Sequence, residues 1–237
     1  MLDFDRQIPP RCLECHTTWL ESIPDSLLGN RYRAAGAILG LTCETCHTAG
    51  GTHVVREQSI VHGVLRPAIV NPARLSRQRQ LDACALCHAG IAPLRSAPFS
   101  YVPGQPLQKL FFVSALPDTG PVDVHGNQVA LLAKSRCFQH SQMTCITCHD
   151  LHREQGDVAE LSGRCLTCHT LQSCGLFPKY AEALRGRCVD CHMPALPSNT
   201  IIANERSGQY RVKVRTHWIK LYPELHVLPL SNHERLQ

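Results

Sequence analysis

Cysteine and histidine recur along the chain in one fixed spacing, Cys-x-x-Cys-His, which occurs six times in 237 residues. Two thiols three residues apart can each form a thioether with one vinyl group of a porphyrin, and the adjacent imidazole can coordinate its iron. The spacing therefore predicts six covalently bound c-type haems. The predicted attachment cysteines are Cys12, Cys15, Cys43, Cys46, Cys84, Cys87, Cys145, Cys148, Cys165, Cys168, Cys188 and Cys191. The predicted proximal iron ligands are His16, His47, His88, His149, His169 and His192.

An isolated Cys-x-x-Cys pair is also compatible with a zinc site or a redox dithiol. Zinc sites combine two such pairs around one metal and need no histidine at a fixed offset. Six copies that all end in histidine therefore favour haem. Two cysteines, Cys137 and Cys174, lie outside the motifs. In an oxidising compartment they could form a disulfide, the alternative being two buried thiols, and we favour the disulfide.

The sixth coordination position of each iron decides between electron transfer and catalysis. A haem with two protein ligands moves electrons, whereas one with an open face can bind and transform a substrate. Six distal ligands are needed and eight further histidines are available, which predicts bis-histidine ligation at most or all haems. His53 and His152 follow proximal histidines too closely to reach the opposite face of the same haem. We therefore expect these two to ligate neighbouring haems.

The elements that must position these residues are short. Asn71 as N-cap and Pro72 at the first position predict a helical segment over residues 71–88, and Pro178 predicts another over residues 178–192. Each predicted segment ends in an attachment motif. We therefore expect each haem to be attached at the end of a short helix. The longest apolar run, residues 34–41, is at most a helix-packing segment and is too short to cross a membrane.

Two other regions are predicted to lack helix. Residues 91–124 carry six prolines and are expected to form an ordered loop that wraps the haems. Residues 193–237 are expected to form a C-terminal hairpin and tail. Within them, residues 200–214 predict a small hairpin around Ser207 and Gly208, because apolar and basic side chains alternate from Tyr210 onward.

Composition supports a fold organised by the cofactors. Aromatic residues are only 5% of the chain, which is few for an ordinary core, and six porphyrins would supply the missing apolar bulk. We predict a mainly irregular chain with short α-helices and a small β-hairpin. It folds as a single domain over residues 1–237 around a compact stack of six haems, and it is unstable without them.

A formal net charge of +5 is compatible with a nucleic-acid partner, but this charge omits the cofactors. The ionised propionates of six ferric haems would bring the protein to about −1. The basic excess is therefore expected to balance propionates, and no nucleic-acid partner is predicted. Arg11, Arg164 and Arg187 each precede an attachment cysteine, and we expect at least one of them on a propionate.

Several segments resemble the bacterial multihaem cytochromes c with paired Cys-x-x-Cys-His motifs, a group related to the hydroxylamine-oxidoreductase-type and tetrahaem nitrification cytochromes. The segments are CETCHTAGGTHV from Cys43, IVNPARLSRQRQLDACALCH from Ile69, FSYVPGQPL from Phe99, SRCFQHSQMTCITCHDLH from Ser135, CVDCHMP from Cys188 and RTHWI from Arg215. The resemblance implies distal ligand roles for His53, His152 and His217. His140, His125 and His62 complete the predicted set of six, with His226 and His233 in reserve.

These features predict an electron carrier rather than an enzyme. Electrons would pass through six mostly bis-histidine haems between redox partners, or along a polymer of copies of the chain in an extracellular filament. One alternative is an oxidoreductase with an open haem that acts on a small nitrogen or sulfur compound. Another is a haem subunit of a membrane redox complex.

The expected location is outside the cytoplasm, because thioether attachment of haem normally follows export. We predict a periplasmic or extracellular protein without a transmembrane segment, either soluble or peripheral to a membrane. Residues 1–11 contain no apolar core of a signal peptide, so the precursor is expected to begin upstream of Met1.

Overall fold

The computed structural model describes residues 8–23, 31–58, 69–90, 94–111, 122–154, 157–205 and 208–223. The chain divides into two compact units, Met1–Pro121 and Val122–Gln237. Each unit contains three of the six motifs. The single haem-organised domain stays a prediction. Within the described ranges, no helix is long and apolar enough to cross a membrane.

The described helices of the first unit are short, and three of the four contain residues of a motif. Asn71 caps a helix as predicted, because its Oδ1 accepts a hydrogen bond from the Ala73 amide at 3.0 Å. That cap, however, serves a 3-10 turn, and the extended backbone of Leu75 separates the turn from the helix that carries the third motif. The predicted segment is thus two elements. The helices are α1 (Pro10–Leu13), α2 (Cys43–His47), α3 (Gly51–Gln58) and α4 (Arg77–His88), with 3-10 turns at Pro72–Arg74 and Leu107–Lys109.

The first unit also contains an antiparallel hairpin of β1 (Thr17–Ser22) and β2 (Tyr32–Leu39). The helix-packing role predicted for residues 34–41 is therefore wrong. Gly36 has a φ of +80°, a left-handed conformation that interrupts a right-handed helix. Arg33 and Glu21 are paired across the two strands, and their side chains form an ion pair with Nε and Oε2 2.9 Å apart.

The core of the first unit lies between α4 and the segment that follows it. Leu81 and Leu86 of α4 are buried, as are Leu107 and Phe111. The buried carboxylate of Asp82 accepts hydrogen bonds from the Leu107 amide at 3.4 Å and from the side chain of Gln78 in α4. The described part of the proline-rich region, residues 94–111, thus packs on the helix of the third motif. Residues 91–93 and 112–121 of that region lie outside the described residues.

The described helices of the second unit have eight residues or fewer. Pro178 lies in the first turn of a helix, as predicted, but the continuous segment predicted over residues 178–192 is wrong, because the chain makes three separate pieces there. Ala181 with φ +44° and Gly186 with φ +80° break the helical path. The helices are α5 (Gln128–Ala133), α6 (Arg136–Gln139), α7 (Val158–Cys165), α8 (Phe177–Tyr180) and α9 (Cys188–His192), with 3-10 turns at Cys145–Thr147, Leu171–Ser173 and Ala181–Leu184.

The predicted C-terminal hairpin is confirmed and is longer than expected. It pairs β3 (Ala195–Glu205) with β4 (Gly208–Arg215), and its register runs from Ala195 opposite Arg215 to Glu205 opposite Gly208. Ser207, predicted in the turn, lies outside the described residues. The Asp123 carboxylate anchors the irregular part of β3 by accepting hydrogen bonds from Ser198 Oγ at 2.9 Å and Thr200 Oγ1 at 3.1 Å.

Candidate haem-binding sites

Two predicted attachment cysteines of the first unit, Cys15 and Cys87, lie close together although they are far apart in sequence. The thiol of Cys87 donates a hydrogen bond to the sulfur of Cys15, which lowers the pKa of Cys15 to about 6 against the opposing effect of burial. The same bond, together with burial, raises the pKa of Cys87. Burial raises the pKa of Cys46 as well. The first and third motifs therefore meet at their second cysteines.

A second group of attachment cysteines forms in the other unit. Burial and the neighbouring thiol of Cys188 raise the pKa of Cys165 to about 11, and the two thiols share a hydrogen bond. Cys165 ends α7 and Cys188 begins α9. These helices are joined where the Val189 amide donates to Oγ of the buried Ser162 at 3.1 Å. The packing of two short helices thus brings the fifth and sixth motifs together.

Two predicted proximal histidines each form two hydrogen bonds with the backbone of one distant residue. The arrangement is the same for both histidines, and we call it the clasp. Nδ1 of His47 lies 2.8 Å from the carbonyl oxygen of Val70, and the Val70 amide donates to the His47 carbonyl at 3.0 Å. Nδ1 of His192 lies 3.0 Å from the Lys220 carbonyl oxygen, and the Lys220 amide donates to the His192 carbonyl at 3.4 Å. Since a carbonyl oxygen only accepts, Nδ1 carries the proton in both rings.

The clasp has a chemical consequence for iron binding. A neutral imidazole with its proton on Nδ1 has its lone pair on Nε2, which is the tautomer required of an Nε2 metal ligand. Histidines that bind metals commonly donate the other ring N–H to a backbone carbonyl, which fixes the ring and strengthens the ligand. The clasps thus orient His47 and His192 as the second and sixth motifs require.

The structure also brings a predicted proximal histidine close to a predicted distal one. The rings of His149 and His217 have centroids 6.1 Å apart and planes inclined by 29°. Two imidazoles on opposite sides of one iron, with metal–nitrogen bonds of about 2 Å, have ring centres about 6 Å apart. The separation of this pair therefore fits ligation of one iron by both rings.

A short segment, residues 215–220, positions both His217 and the carbonyl that clasps His192; we call it the strap. The hydroxyl of Ser135, which is fully buried, donates to the His217 carbonyl at 3.0 Å and accepts from the Ile219 amide at 2.8 Å. Thr216 is also buried, and its amide donates to the Pro194 carbonyl at 3.1 Å. One segment thus serves the fourth and the sixth motif.

The other predicted distal ligands take varied positions. His53 lies half buried in α3, whereas His125 and His140 are exposed. His152 is exposed as well, with Nδ1 3.7 Å from Oδ1 of Asp150. The ligand roles of these four stay predictions. His62, His226 and His233 lie outside the described residues.

Buried polar atoms provide a test of whether haem fits. Nε of Arg11 is buried and has no hydrogen-bond partner. Such groups are rare in folded proteins, and this one is a donor that a carboxylate could satisfy. Haem propionates are acceptors of this kind, so this residue fits the predicted cofactor. Among the residues that the structure describes, no group of three or more His, Cys, Asp or Glu side chains is arranged to hold a metal ion by itself.

The predicted disulfide between Cys137 and Cys174 is not formed, since neither of these cysteines is bonded to another cysteine. Each of the two extra cysteines instead lies near attachment cysteines. Cys137 adds to the effect of burial in raising the pKa of Cys148, and Cys174 adds to the effect of burial in raising the pKa of Cys191. The two thiols therefore belong to the surroundings of different motifs.

Comparisons with protein-family models, with curated proteins and with solved structures find no match. The resemblance to multihaem cytochromes c therefore stays an expectation based on the quoted segments.

Proposed function

We propose that the protein transfers electrons through six covalently attached c-type haems, most of them with two histidine ligands. The observation that carries the proposal is the clasp at His47 and His192, because it sets the tautomer of a metal ligand in a histidine that ends a Cys-x-x-Cys-His motif. Bound haem supplies a one-electron couple between ferric and ferrous iron. The residues of the chain attach it and orient its ligands.

The grouping of the motifs supports a conducting role. Cys15 lies against Cys87, and Cys165 lies against Cys188. Porphyrins attached at these cysteines would therefore be bonded to neighbouring sulfur atoms. The two cysteines that meet in the first unit are 72 residues apart in sequence, and the two that meet in the second unit are 23 apart. Closely spaced haems favour electron transfer from one to the next.

The pairing of His149 with His217 supports electron transfer over catalysis. With both axial positions filled by imidazole, an iron has no open face for a substrate. The strap fixes His217 through hydrogen bonds to its backbone, so the ligand is held in place before the iron binds. The proposed partners are other redox proteins or further copies of this chain, in the periplasm or outside the cell.

The test is to produce the chain in a host that attaches c-type haem and to measure its mass and its low-temperature EPR spectrum. We expect six attached haems and low-spin ferric signals that do not change on addition of nitrite, hydroxylamine or cyanide. A chain of unchanged polypeptide mass would refute haem attachment. A high-spin signal that responds to those ligands would replace electron transfer with catalysis at an open haem.

A further inference from the structure

Arg11, directly before the first attachment motif, is buried, with only 8% of its surface exposed. Its guanidinium contacts both the first and the third motif. Nη1 lies 3.4 Å from the sulfur of Cys15, and Nη2 donates to the carbonyl oxygen of Leu86 at 2.5 Å. The ring of Phe111 lies beneath the guanidinium, 4.5 Å from its central carbon. One cation thus lies where two motifs meet.

The surroundings of Arg11 contain one opposite charge. Glu14 is its buried counterion, with Oε2 3.4 Å from Nη1. Its other oxygen, Oε1, accepts from the Phe99 amide at 2.7 Å, so this carboxylate is shared with the backbone. Nε of Arg11 has no hydrogen-bond partner. The positive group itself contacts the sulfur of Cys15, and in the haem-loaded protein that sulfur is a thioether joined to the porphyrin.

We propose that Arg11 is a positioning residue that joins the first and third attachment motifs and raises the reduction potentials of the two haems attached there. The proposal rests on the proposed function. Reduction adds one negative charge to each haem, and a nearby buried cation stabilises the reduced state because charges interact more strongly away from water. Arginine suits this place because its charge is permanent and its planar group reaches two partners at once.

Arg187 provides a matched control in the same chain. It occupies the same place relative to its motif, directly before Cys188. Its side chain is 38% exposed, and its Nε lies 3.8 Å from Oδ2 of Asp190. Solvent screens a charge in such a position, so its removal changes a haem potential less.

The test is a spectroelectrochemical titration of four haem-loaded proteins, the wild type and the variants Arg11→Met, Arg11→Lys and Arg187→Met. Mass spectrometry first establishes that each carries six haems. For Arg11→Met we expect two of the six one-electron components to become about tenfold harder to reduce, which is about 59 mV each. Arg11→Lys keeps the charge and is expected to stay closer to the wild type. Arg187→Met is expected to shift the potential of every component by less than Arg11→Met shifts its two.

Two results would overturn the proposal while leaving electron transfer intact: six haems with unchanged potentials in Arg11→Met, or equal shifts in Arg11→Met and Arg11→Lys. Equal shifts would mean that packing rather than charge is responsible. If Arg11→Met does not mature, Arg11→Gln replaces it in the same comparison. A wild-type chain without haem would instead refute the proposed function itself, so the two failures are distinguishable.

Discussion

His192 and Lys220 are joined by two reciprocal hydrogen bonds, from the ring Nδ1 of His192 to the carbonyl of Lys220 and from the amide of Lys220 to the carbonyl of His192. His47 and Val70 are joined in the same way in the other unit. In both cases the histidine ends a five-residue helix that consists of the motif alone. A helix of this length has little stability of its own. The clasp therefore fixes both the helix end and the tautomer of the ring.

Replacement of Ser135 by alanine is expected to loosen the strap. The Ser135 hydroxyl is fully buried and bonds both the His217 carbonyl and the Ile219 amide. Loss of both bonds leaves two backbone groups without this partner, which should lower the free energy of unfolding by about 1–3 kcal/mol. Denaturant unfolding of the haem-loaded protein measures the change. Ser173→Ala is the control, since this exposed hydroxyl bonds only within its own turn, to the Thr170 carbonyl, and a change below about 0.5 kcal/mol is expected.

Replacement of Gly186 by alanine should destabilise the turn before the sixth motif. Gly186 has a φ of +80°, and an added Cβ would lie 3.0 Å from Cβ of Ala159. The strained backbone and the close contact together predict a loss of about 1–3 kcal/mol. Gly163→Ala is the matched control, because Gly163 lies in α7 and a Cβ there meets nothing within 4 Å. It is expected to be neutral or to stabilise by up to about 1 kcal/mol. Equal effects of the two substitutions would contradict this description of the turn.

Thiol counting should find two reactive cysteines in the denatured haem-loaded protein. Twelve cysteines are expected in thioethers, and Cys137 and Cys174 are free and lie near different motifs. Titration with a thiol reagent in denaturant, without reductant, measures the number. A count of zero that rises to two after reduction would restore the disulfide that the sequence favoured.

The sequence predicted those elements whose signals are local. Asn71 caps its turn, and the alternation from Tyr210 onward forms a strand, because each depends on side chains adjacent in the chain. The hairpin of β1 and β2 was missed, since the apolar run in β2 has no polar alternation to indicate a strand.

In the candidate sites, too, local signals were visible in the sequence and contacts between distant residues were not. The attachment motifs were visible in the sequence, whereas the clasp partners Val70 and Lys220 were not. Both act through backbone atoms, which every residue has, so no residue type identifies them. The burial of Arg11 was also missed, because it depends on contacts with the distant Leu86 and Phe111.

Production of the chain without haem attachment should give a protein that does not fold stably. Several large apolar side chains near the motifs are exposed, including Leu41 at 59%, Leu151 at 58% and Leu221 at 66%. Porphyrins attached nearby are expected to cover such surface, and without them the apolar burial is too small to offset the entropy of folding. Limited proteolysis of material from hosts with and without haem attachment measures this. Equal resistance in the two samples would contradict the prediction.

Replacement of His217 by glycine should open one iron, the one attached through the fourth motif. The variant removes a ring that lies 6.1 Å from that of His149 and leaves the backbone bonds of the strap in place. We expect one of the low-spin EPR signals to be replaced by a high-spin signal that binds cyanide, with all six haems still attached. Added imidazole should restore the low-spin signal by filling the space left by the ring. Trp218→Phe, one residue further along the strap, is the control and should leave the spin state unchanged. If His217→Gly stays fully low-spin without imidazole, another residue ligates that iron and the pairing of His149 with His217 is wrong.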